Sequence, residues 1–202
     1  MDAIITIFGG YLSGGVLYAQ IFAKLFRKEN MLENSKDQNP GTANAFMYGG
    51  FWCGFLTLIF DLLKGFLPVF LFMRYGPQTD ALTAVLIIAA PVIGHIFPLF
   101  HHFRGGKGIA TTFGCLLGLM PQWKPVIIFA AFFIFYSVIL RVSSHFHRTV
   151  ISYICASIYM VHFINETAIW LGFLLMTVAV LVRLLLSREE KSKLEVKLLW
   201  MR

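Results

Sequence analysis

The chain has 202 residues, of which 58% are hydrophobic and 13% charged, and its net charge is +7. A mean hydropathy of +0.74 excludes an ordinary water-soluble globular protein, so lipid is the expected environment. No polar stretch is long enough to form a separate soluble domain, and we therefore predict a single polytopic membrane domain over residues 1–202.

Seven apolar segments follow one another along the chain. They cover residues 3–23, 46–73, 81–100, 108–120, 125–141, 149–163 and 167–186. Each predicts a helix, because a helix satisfies its own backbone hydrogen bonds inside a bilayer. The fourth and sixth are shorter than the ~20 residues that cross a bilayer, so we expect them to pack inside the bundle or to be partly immersed. The predicted fold class is an all-α membrane bundle of about seven helices.

The connections between these segments differ in positive charge. One alternate set contains Lys24, Arg27, Lys28, Lys36, Arg104, Lys107, Arg141, Arg148 and the basic residues of the tail, whereas the other set contains Arg74 and Lys124. Because cytoplasmic loops retain Lys and Arg, this bias places the N-terminus outside and the C-terminus in the cytosol of a bacterial inner membrane. The concentration of positive charge on this face also suggests that the cytosolic face carries the chemistry. The alternative is that the charge serves only membrane topology and contact with anionic lipid. Residues 187–202 mix charged and apolar side chains and predict a cytosolic interfacial helix.

The first basic connection contains two amides around a turn. Asn39 and Asn44 flank Pro40 and Gly41, and their side chains can donate to and accept from phosphate or hydroxyl groups. The alternative is an ordinary turn, because Asn, Pro and Gly are common turn residues.

Asp61 and Lys64 lie one turn apart inside the second apolar segment. Charged side chains at this depth are costly unless they are paired, and the i,i+3 spacing places them on one helix face. The spacing favours a structural ion pair, with a role in a functional site as the alternative.

The most specific stretch is residues 94–114, GHIFPLFHHFRGGKGIATTFG. A turn of small and basic residues separates two predicted helices there. Glycines allow backbone N–H groups to approach an anion, a helix N-terminus carries unpaired donors, and a lysine adds a full charge. The turn predicts a phosphate-binding loop made by Arg104, Gly105, Gly106, Lys107 and Gly108. A loop that serves only membrane topology is the alternative.

This stretch resembles the second signature of the acyl-phosphate-dependent glycerol-3-phosphate acyltransferases (PlsY type), GHxFPxFxxFKGGKGxAT. The matching residues are Gly94, His95, Phe97, Pro98, Phe100, Phe103, Gly105, Gly106, Lys107, Gly108, Ala110 and Thr111, with Arg104 as a conservative cation. Residues 61–65 are similar to the family's DxxKG, residues 11–14 to its YLxGS, and residues 37–44 to its SGNxGATN. The chain is identified as a divergent member of this family.

The resemblance implies an O-acyltransferase that moves a fatty acyl group from acyl phosphate to glycerol 3-phosphate, giving lysophosphatidic acid for phospholipid synthesis. An acyl phosphate is already activated, so neither a covalent nucleophile nor a cofactor is expected. The implied catalytic residues are Lys107, which would hold phosphate, His95, which would brace the loop, and Asn39 and Asn44, which would orient the substrates. The expected partners are both substrates and membrane lipids, without nucleic acid, and the expected state is a monomer.

Four of the departures from the family pattern change side chains of the expected site. Asp37 replaces a serine, Met47 an arginine, Arg148 a serine and Ser187 a histidine. Arg148 is a candidate compensating cation for the charge lost at Met47, and a topogenic arginine is the equal alternative.

The loss of the histidine at position 187 implies a substitute base. The candidates are His101, His102, His145 and His147, and an interfacial side chain is the plain alternative for each of them. No metal site is predicted, because no carboxylate or cysteine accompanies the histidines at ligand spacing.

The four departures leave other functions open. One is a paralogue that binds a phosphorylated or lipid ligand, or a partner protein, without turnover. Another is an acyltransferase with a different acceptor. Transport is the weaker alternative, since few charged residues lie inside the segments to form a polar pathway.

Overall fold

The computed structural model describes residues 2–35, 37–187 and 196, and all the regular structure in this part is helical. The helices are α1 (Ala3–Gly14), α2 (Tyr18–Leu25), α3 (Met31–Asn34), α4 (Thr42–Gly49), α5 (Phe51–Tyr75), α6 (Ala81–Ile96), α7 (Ile109–Leu117), α8 (Lys124–Ile134), α9 (His145–Phe163) and α10 (Thr167–Leu186). A 3-10 turn at Leu99–His101 follows α6, and a π-helical turn at Phe135–Ile139 continues α8. The all-α class is therefore confirmed.

Three described helices are long and apolar enough to cross a membrane. They are α5, α10 and the combination of α6 with its 3-10 turn, and the bent pair of α1 and α2 makes a fourth candidate. As expected for the fourth segment, α7 has only nine residues, which is less than half of a span. The sixth segment, predicted as 149–163, is longer than expected, because α9 begins at His145 and has 19 residues. The count of seven spans and the orientation of the termini stay predictions. The interfacial helix predicted at 187–202 lies outside the described residues, apart from Ser187 and Val196.

Two of the segments expected to be continuous helices are broken. The segment 3–23 contains α1 and α2, which meet at an angle of 41° after Gly14. The segment 46–73 contains the end of α4 and most of α5, which join at Gly50, where φ is 90°. Hydropathy continues through both breaks because the neighbouring residues are apolar, so the periodic pattern alone cannot mark them. The second break matters for function, since it directs α4 and the loop before it across the end of α5.

The core lies around α6, which packs against α1 on one side and α10 on another. Phe129, Tyr153 and Phe173 form its aromatic centre, with ring centroids 4.7 Å apart for Phe129 and Tyr153 and 5.7 Å apart for Tyr153 and Phe173. The Tyr153 hydroxyl donates to Thr112 Oγ1 at 2.8 Å, which satisfies two buried polar groups and ties α9 to α7. This packing brings the first turns of α7 and α9 to the same end of the bundle.

A smaller apolar cluster holds the N-terminal half of the site in place. Ala19 and Ala23 of α2, Met31 of α3, Ala45 of α4 and Cys53 of α5 are buried against one another. Small side chains at four of these positions let the helices approach closely. The cluster therefore fixes α4 and the loop that leads into it.

Candidate functional site

A cavity of about 570 Å³ lies where the loops before α4, α7 and α9 meet. Its polar lining residues are Asp37, Asn39, Thr42, Asn44, Asp61, His95, Lys107, Ser143, Ser144 and His145. Its larger apolar lining residues are Met47, Leu58, Ile109, Phe113 and Phe133. The four residues predicted to act in catalysis, which are separated by up to 68 positions in the sequence, thus come together at one cavity.

The predicted phosphate-binding loop divides into a supporting half and a lining half. The N–H groups of Gly105 and Gly106 donate to the carbonyls of Ile96 and His95, both at 3.1 Å. These two glycines therefore extend the end of α6, and their amides are already used. Lys107 and Gly108 line the cavity, whereas Arg104 is exposed and lies outside the lining.

The first turn of α7 points into the cavity from Gly108. Gly108 is the N-cap of α7, with φ of 80°, and Ile109 and Ala110 line the cavity beside it. The first N–H groups of a helix have no partner within the helix and carry a positive partial charge. This turn can therefore supply backbone donors to an anion next to Lys107.

Asp37 connects the loop of residues 37–44, the first substrate loop, to the predicted phosphate-binding loop of residues 104–108. Its Oδ2 lies 3.0 Å from Lys107 Nζ, and its Oδ1 accepts from Asn44 Nδ2 at 2.7 Å and from the Asn39 N–H at 3.2 Å. Burial raises the pKa of Asp37, but the hydrogen bond from Asn44 and the charge of Lys107 outweigh it and leave the pKa below its ordinary value. The carboxylate is thus ionised and is held by donors from both loops.

Asn44 also stabilises the turn before α4 directly. Its Nδ2 donates to the carbonyl of Asn39 at 2.9 Å in addition to Asp37. Both asparagines are buried. The amide of Asn44 thus orients the turn, while the side chain of Asn39 lines the cavity.

His95 lies behind the loop in a buried polar network. Its Nδ1 is 2.7 Å from Lys64 Nζ, which is also 2.7 Å from Asp61 Oδ1 and donates to the carbonyl of Val16 at 2.7 Å. A lysine ammonium has donors only, so Nδ1 of His95 accepts and its proton is on Nε2. A side chain at Gly106 would collide with the His95 ring. The histidine ring therefore lies directly against Gly106, and its role as a brace of the loop stays a prediction.

The pair of Asp61 and Lys64 forms the predicted ion pair at the edge of the cavity. It forms an i,i+3 ion pair with both side chains buried, and Asp61 also lines the cavity and accepts from Thr42 Oγ1 at 3.3 Å. Since Thr42 begins α4, the pair connects the scaffold to the first substrate loop.

Arg183 of α10 contacts the predicted phosphate-binding loop (residues 104–108, called the glycine loop below) on the side opposite His95. The sequence did not lead us to predict this contact. Its Nε and Nη2 both donate to the carbonyl of Gly105, at 3.2 and 2.7 Å. It is the only charged residue of α10. Because an isolated charge in an apolar helix requires a partner, this signal was sufficient to mark Arg183 as a residue with a specific contact.

Among the four candidate bases, His145 is the one that lines the cavity, together with Ser143 and Ser144. Burial, followed by the positive charges of Lys107 and Arg148, lowers the pKa of His145 to about 4. Its imidazole is therefore neutral at pH 7 and able to accept a proton. Ser143 and Ser144 are further lining residues that carried no sequence signal.

Arg148 lies one turn after His145 on α9, outside the cavity lining, and its charge acts on His145. Its role as a compensating cation stays a prediction. Met47 lies at the cavity with 68% of its surface exposed. The position where the family has an arginine is therefore an apolar and accessible part of the cavity wall.

Comparison with known proteins places the chain in a family. Residues 4–193 match the family model described as glycerol-3-phosphate acyltransferase. The glycerol-3-phosphate acyltransferase of Legionella pneumophila (strain Philadelphia 1) is 44% identical over 116 residues, which are 56% of this chain and 40% of that protein. The protein of the same name from Actinobacillus pleuropneumoniae serotype 5b is 44% identical over 109 residues, 54% of each chain. The chain thus spans about half the length of the curated relatives that it matches.

The fold is similar to that of a solved membrane protein. The crystal structure of PlsY (YgiH), described as an integral membrane glycerol 3-phosphate acyltransferase in its glycerol 3-phosphate form, matches with a TM-score of 0.74 at 23% identity. The match covers 90% of this chain and 87% of that one. A second structure of PlsY, in its lysophosphatidic acid form, matches with a TM-score of 0.72 at 22% identity. With the family model covering nearly its whole length, the chain belongs to the glycerol-3-phosphate acyltransferase family.

Proposed function

We propose that this protein transfers a fatty acyl group from acyl phosphate to glycerol 3-phosphate, producing lysophosphatidic acid and inorganic phosphate. The observation that carries the proposal is a cavity with two chemically different parts, a polar part that contains Lys107 and an apolar part. We place the reaction at the cytosolic face of a bacterial inner membrane, because the loops that form the polar part belong to the basic set. The active unit in this proposal is the monomer.

The polar part suits two phosphorylated substrates. Lys107 supplies a full positive charge and the first turn of α7 supplies backbone donors beside it. Asn39 and Asn44 add amide groups from the opposite loop. The forms of the similar PlsY structures, with glycerol 3-phosphate and with lysophosphatidic acid, name the same acceptor and product for that protein.

The apolar part suits the acyl chain of the donor and of the product. Leu58 of α5, Phe113 of α7 and Phe133 of α8 line it, and burying methylene groups against such side chains stabilises binding by about 0.8 kcal/mol each. A chain held there places its carbonyl carbon at the polar end.

The chemistry requires one substitution at the acyl carbon. The acceptor hydroxyl oxygen bonds to the carbonyl carbon of acyl phosphate, the bond from that carbon to the phosphate oxygen breaks, and phosphate leaves with the bonding electron pair. Lys107 and the N–H groups of α7 stabilise the negative charge that develops on the carbonyl and phosphate oxygens. The role of the protein is therefore positioning and electrostatic stabilisation.

His145 is the group that we assign to accept the hydroxyl proton. It lines the cavity and is neutral at pH 7, because its pKa lies at about 4 in the unliganded protein. Two bound phosphate groups offset the charges of Lys107 and Arg148, so substrate binding raises the pKa of His145 and makes it a stronger base.

The test is phosphate release from palmitoyl phosphate by the purified protein in lipid, measured with and without glycerol 3-phosphate. We expect acceptor-dependent release that Lys107→Ala abolishes. Lys124→Ala is the matched control, because it removes the same charge at the far end of α8. Absence of release from folded wild-type protein, or equal loss in both variants, would contradict the proposal.

A different acceptor is the second candidate function, and one contact favours it. Asp37 places a carboxylate on Lys107, where an anionic acceptor has to bind. An acceptor without a phosphate group avoids this repulsion. In the same assay, this function appears as consumption of palmitoyl phosphate that glycerol 3-phosphate does not change and that an uncharged alcohol accelerates.

A further inference from the structure

The contacts of Asp37 are of the kind that any small oxyanion, including phosphate, accepts from a protein. One carboxylate oxygen lies 3.0 Å from Lys107 Nζ, and the other accepts from the side chain of Asn44 and the backbone of Asn39. Three donors from two loops thus converge on one anion. Lys107, Asn39 and Asn44 also line the cavity, so this anion lies within the predicted substrate site.

We propose that Asp37 is an internal competitor of the substrate phosphate, whose carboxylate occupies the anion position between Lys107 and Asn44 until a ligand displaces it. This inference rests on the proposed function, because it assigns the same position to a phosphate group. It goes further because it makes Asp37 a residue that sets the Kd of the site for phosphate.

Electrostatic repulsion opposes simultaneous occupation by both anions. A phosphate bound to Lys107 would lie within about 4 Å of the Asp37 carboxylate, a separation at which like charges repel strongly in a partly buried site. The side chain of Asp37 has only 16% of its surface exposed, so solvent screens that repulsion weakly. The ligand therefore binds Lys107 and Asn44 most favourably once Asp37 has withdrawn its charge from them.

Removing Asp37 distinguishes competition from a merely structural role. If Asp37 served only to hold the two loops in the binding conformation, its removal would weaken anion binding. If it competes, the same removal strengthens binding. The two roles therefore predict changes of opposite sign in one equilibrium constant.

The experiment measures the Kd of inorganic phosphate by isothermal titration calorimetry on the full-length protein in detergent, at fixed pH and ionic strength. Asp37→Asn keeps an oxygen that can accept from Asn44 and removes the charge, and Asp37→Ser removes the charge and shortens the side chain. We expect both variants to bind phosphate roughly tenfold more tightly than the wild type. Glu33→Gln is the matched control, because Glu33 is an exposed acid on the neighbouring helix α3, and its Kd should stay close to that of the wild type.

A double variant localises the gain. Asp37→Asn combined with Lys107→Ala should lose the tighter binding, because the competition is for the charge of Lys107. Thermal unfolding without phosphate confirms that each variant is folded, and the phosphate-induced rise of Tm gives a second readout, which should be larger in Asp37→Asn than in the wild type.

The possible results separate this inference from the proposed function. Unchanged or weaker phosphate binding by both Asp37 variants, with binding by the wild type that depends on Lys107, overturns the competition and leaves the phosphate site intact. A tenfold gain in Glu33→Gln overturns it as well, since the effect is then one of net charge. No phosphate binding by any folded variant overturns both the competition and the proposed site.

Discussion

His145 is the residue whose environment has the clearest consequence for pH. Burial and two neighbouring cations lower its pKa to about 4, whereas an unfolded histidine titrates near 6.5. Between these values the unfolded chain binds the proton and the folded protein does not, so folding stability falls as the pH is lowered from about 6.5 to 4.

We therefore expect the Tm of the wild type to fall across this window, and the fall to be smaller in His145→Gln. The measurement is thermal unfolding in detergent at several pH values between 7.5 and 4. His162→Gln is the control, because His162 is an exposed histidine at the other end of α9 and its replacement should leave the pH dependence unchanged. Identical slopes for the wild type and His145→Gln would contradict the assignment.

Single residues also mark what the sequence could and could not predict about the site. Asn39, Asn44, His95 and Lys107 were all predicted, because they occur in motifs whose spacing is itself the signal. The geometry of the contact between Asp37 and Lys107 cannot be derived from spacing, since the two residues are 70 positions apart and their approach depends on packing. Packing also decides which of the four candidate histidines reaches the cavity, so the sequence could not single out His145.

At the scale of elements, α10 was predicted with the bounds 167–186 that the structure has, because an uninterrupted apolar run between polar connections defines a span well. The first two segments were predicted as single helices and are broken. Apolar composition fixes where a chain enters lipid, whereas a break depends on local backbone geometry at Gly14 and Gly50. Hydropathy is insensitive to that geometry.

The contact of α10 with the glycine loop gives a prediction at this scale. Arg183→Met removes both donations to the Gly105 carbonyl, and loss of a charge-assisted hydrogen bond to a buried acceptor costs about 1–3 kcal/mol. We expect lower thermal stability and roughly tenfold weaker phosphate binding, measured by unfolding and calorimetry.

Two variants check that this effect belongs to the contact. Arg183→Lys retains one charged donor group and should recover part of the phosphate affinity. Arg74→Met removes an arginine from the last turn of α5 and should leave affinity as in the wild type. Wild-type affinity in Arg183→Met would show that α10 does not hold the loop in its binding conformation.

At the scale of the whole molecule, the cavity and the loop that contains Gln122 lie at opposite ends of α9. The N-terminal residue of α9 lines the cavity, and its C-terminal residue lies beside Gln122 and Trp123 in a second surface pocket. Nineteen residues of α-helix extend about 28 Å, close to the thickness of the hydrocarbon core of a bilayer. The cavity and Gln122 should therefore lie on opposite membrane faces.

Cysteine labelling tests this arrangement and the predicted orientation together. In intact spheroplasts, we expect a membrane-impermeant maleimide to label Gln122→Cys and to leave Met47→Cys unlabelled until the membrane is permeabilised. Both positions are exposed on the protein, and the unmodified chain controls for Cys53, Cys115 and Cys155. The reverse pattern would place the cavity outside and contradict the cytosolic assignment.

The glycine loop is attached on both sides, to His95 and the end of α6 below it and to Arg183 above it. A wall fixed in this way has little conformational entropy left to lose when a ligand binds. The facing wall, residues 37–47, carries the replacements of serine by Asp37 and of arginine by Met47. The site thus combines a wall held from two sides with a facing wall in which two positions depart from the family pattern, so a substitution in residues 37–47 can change what the cavity binds while the contacts of Gly105 and Gly106 with α6 and Arg183 stay in place.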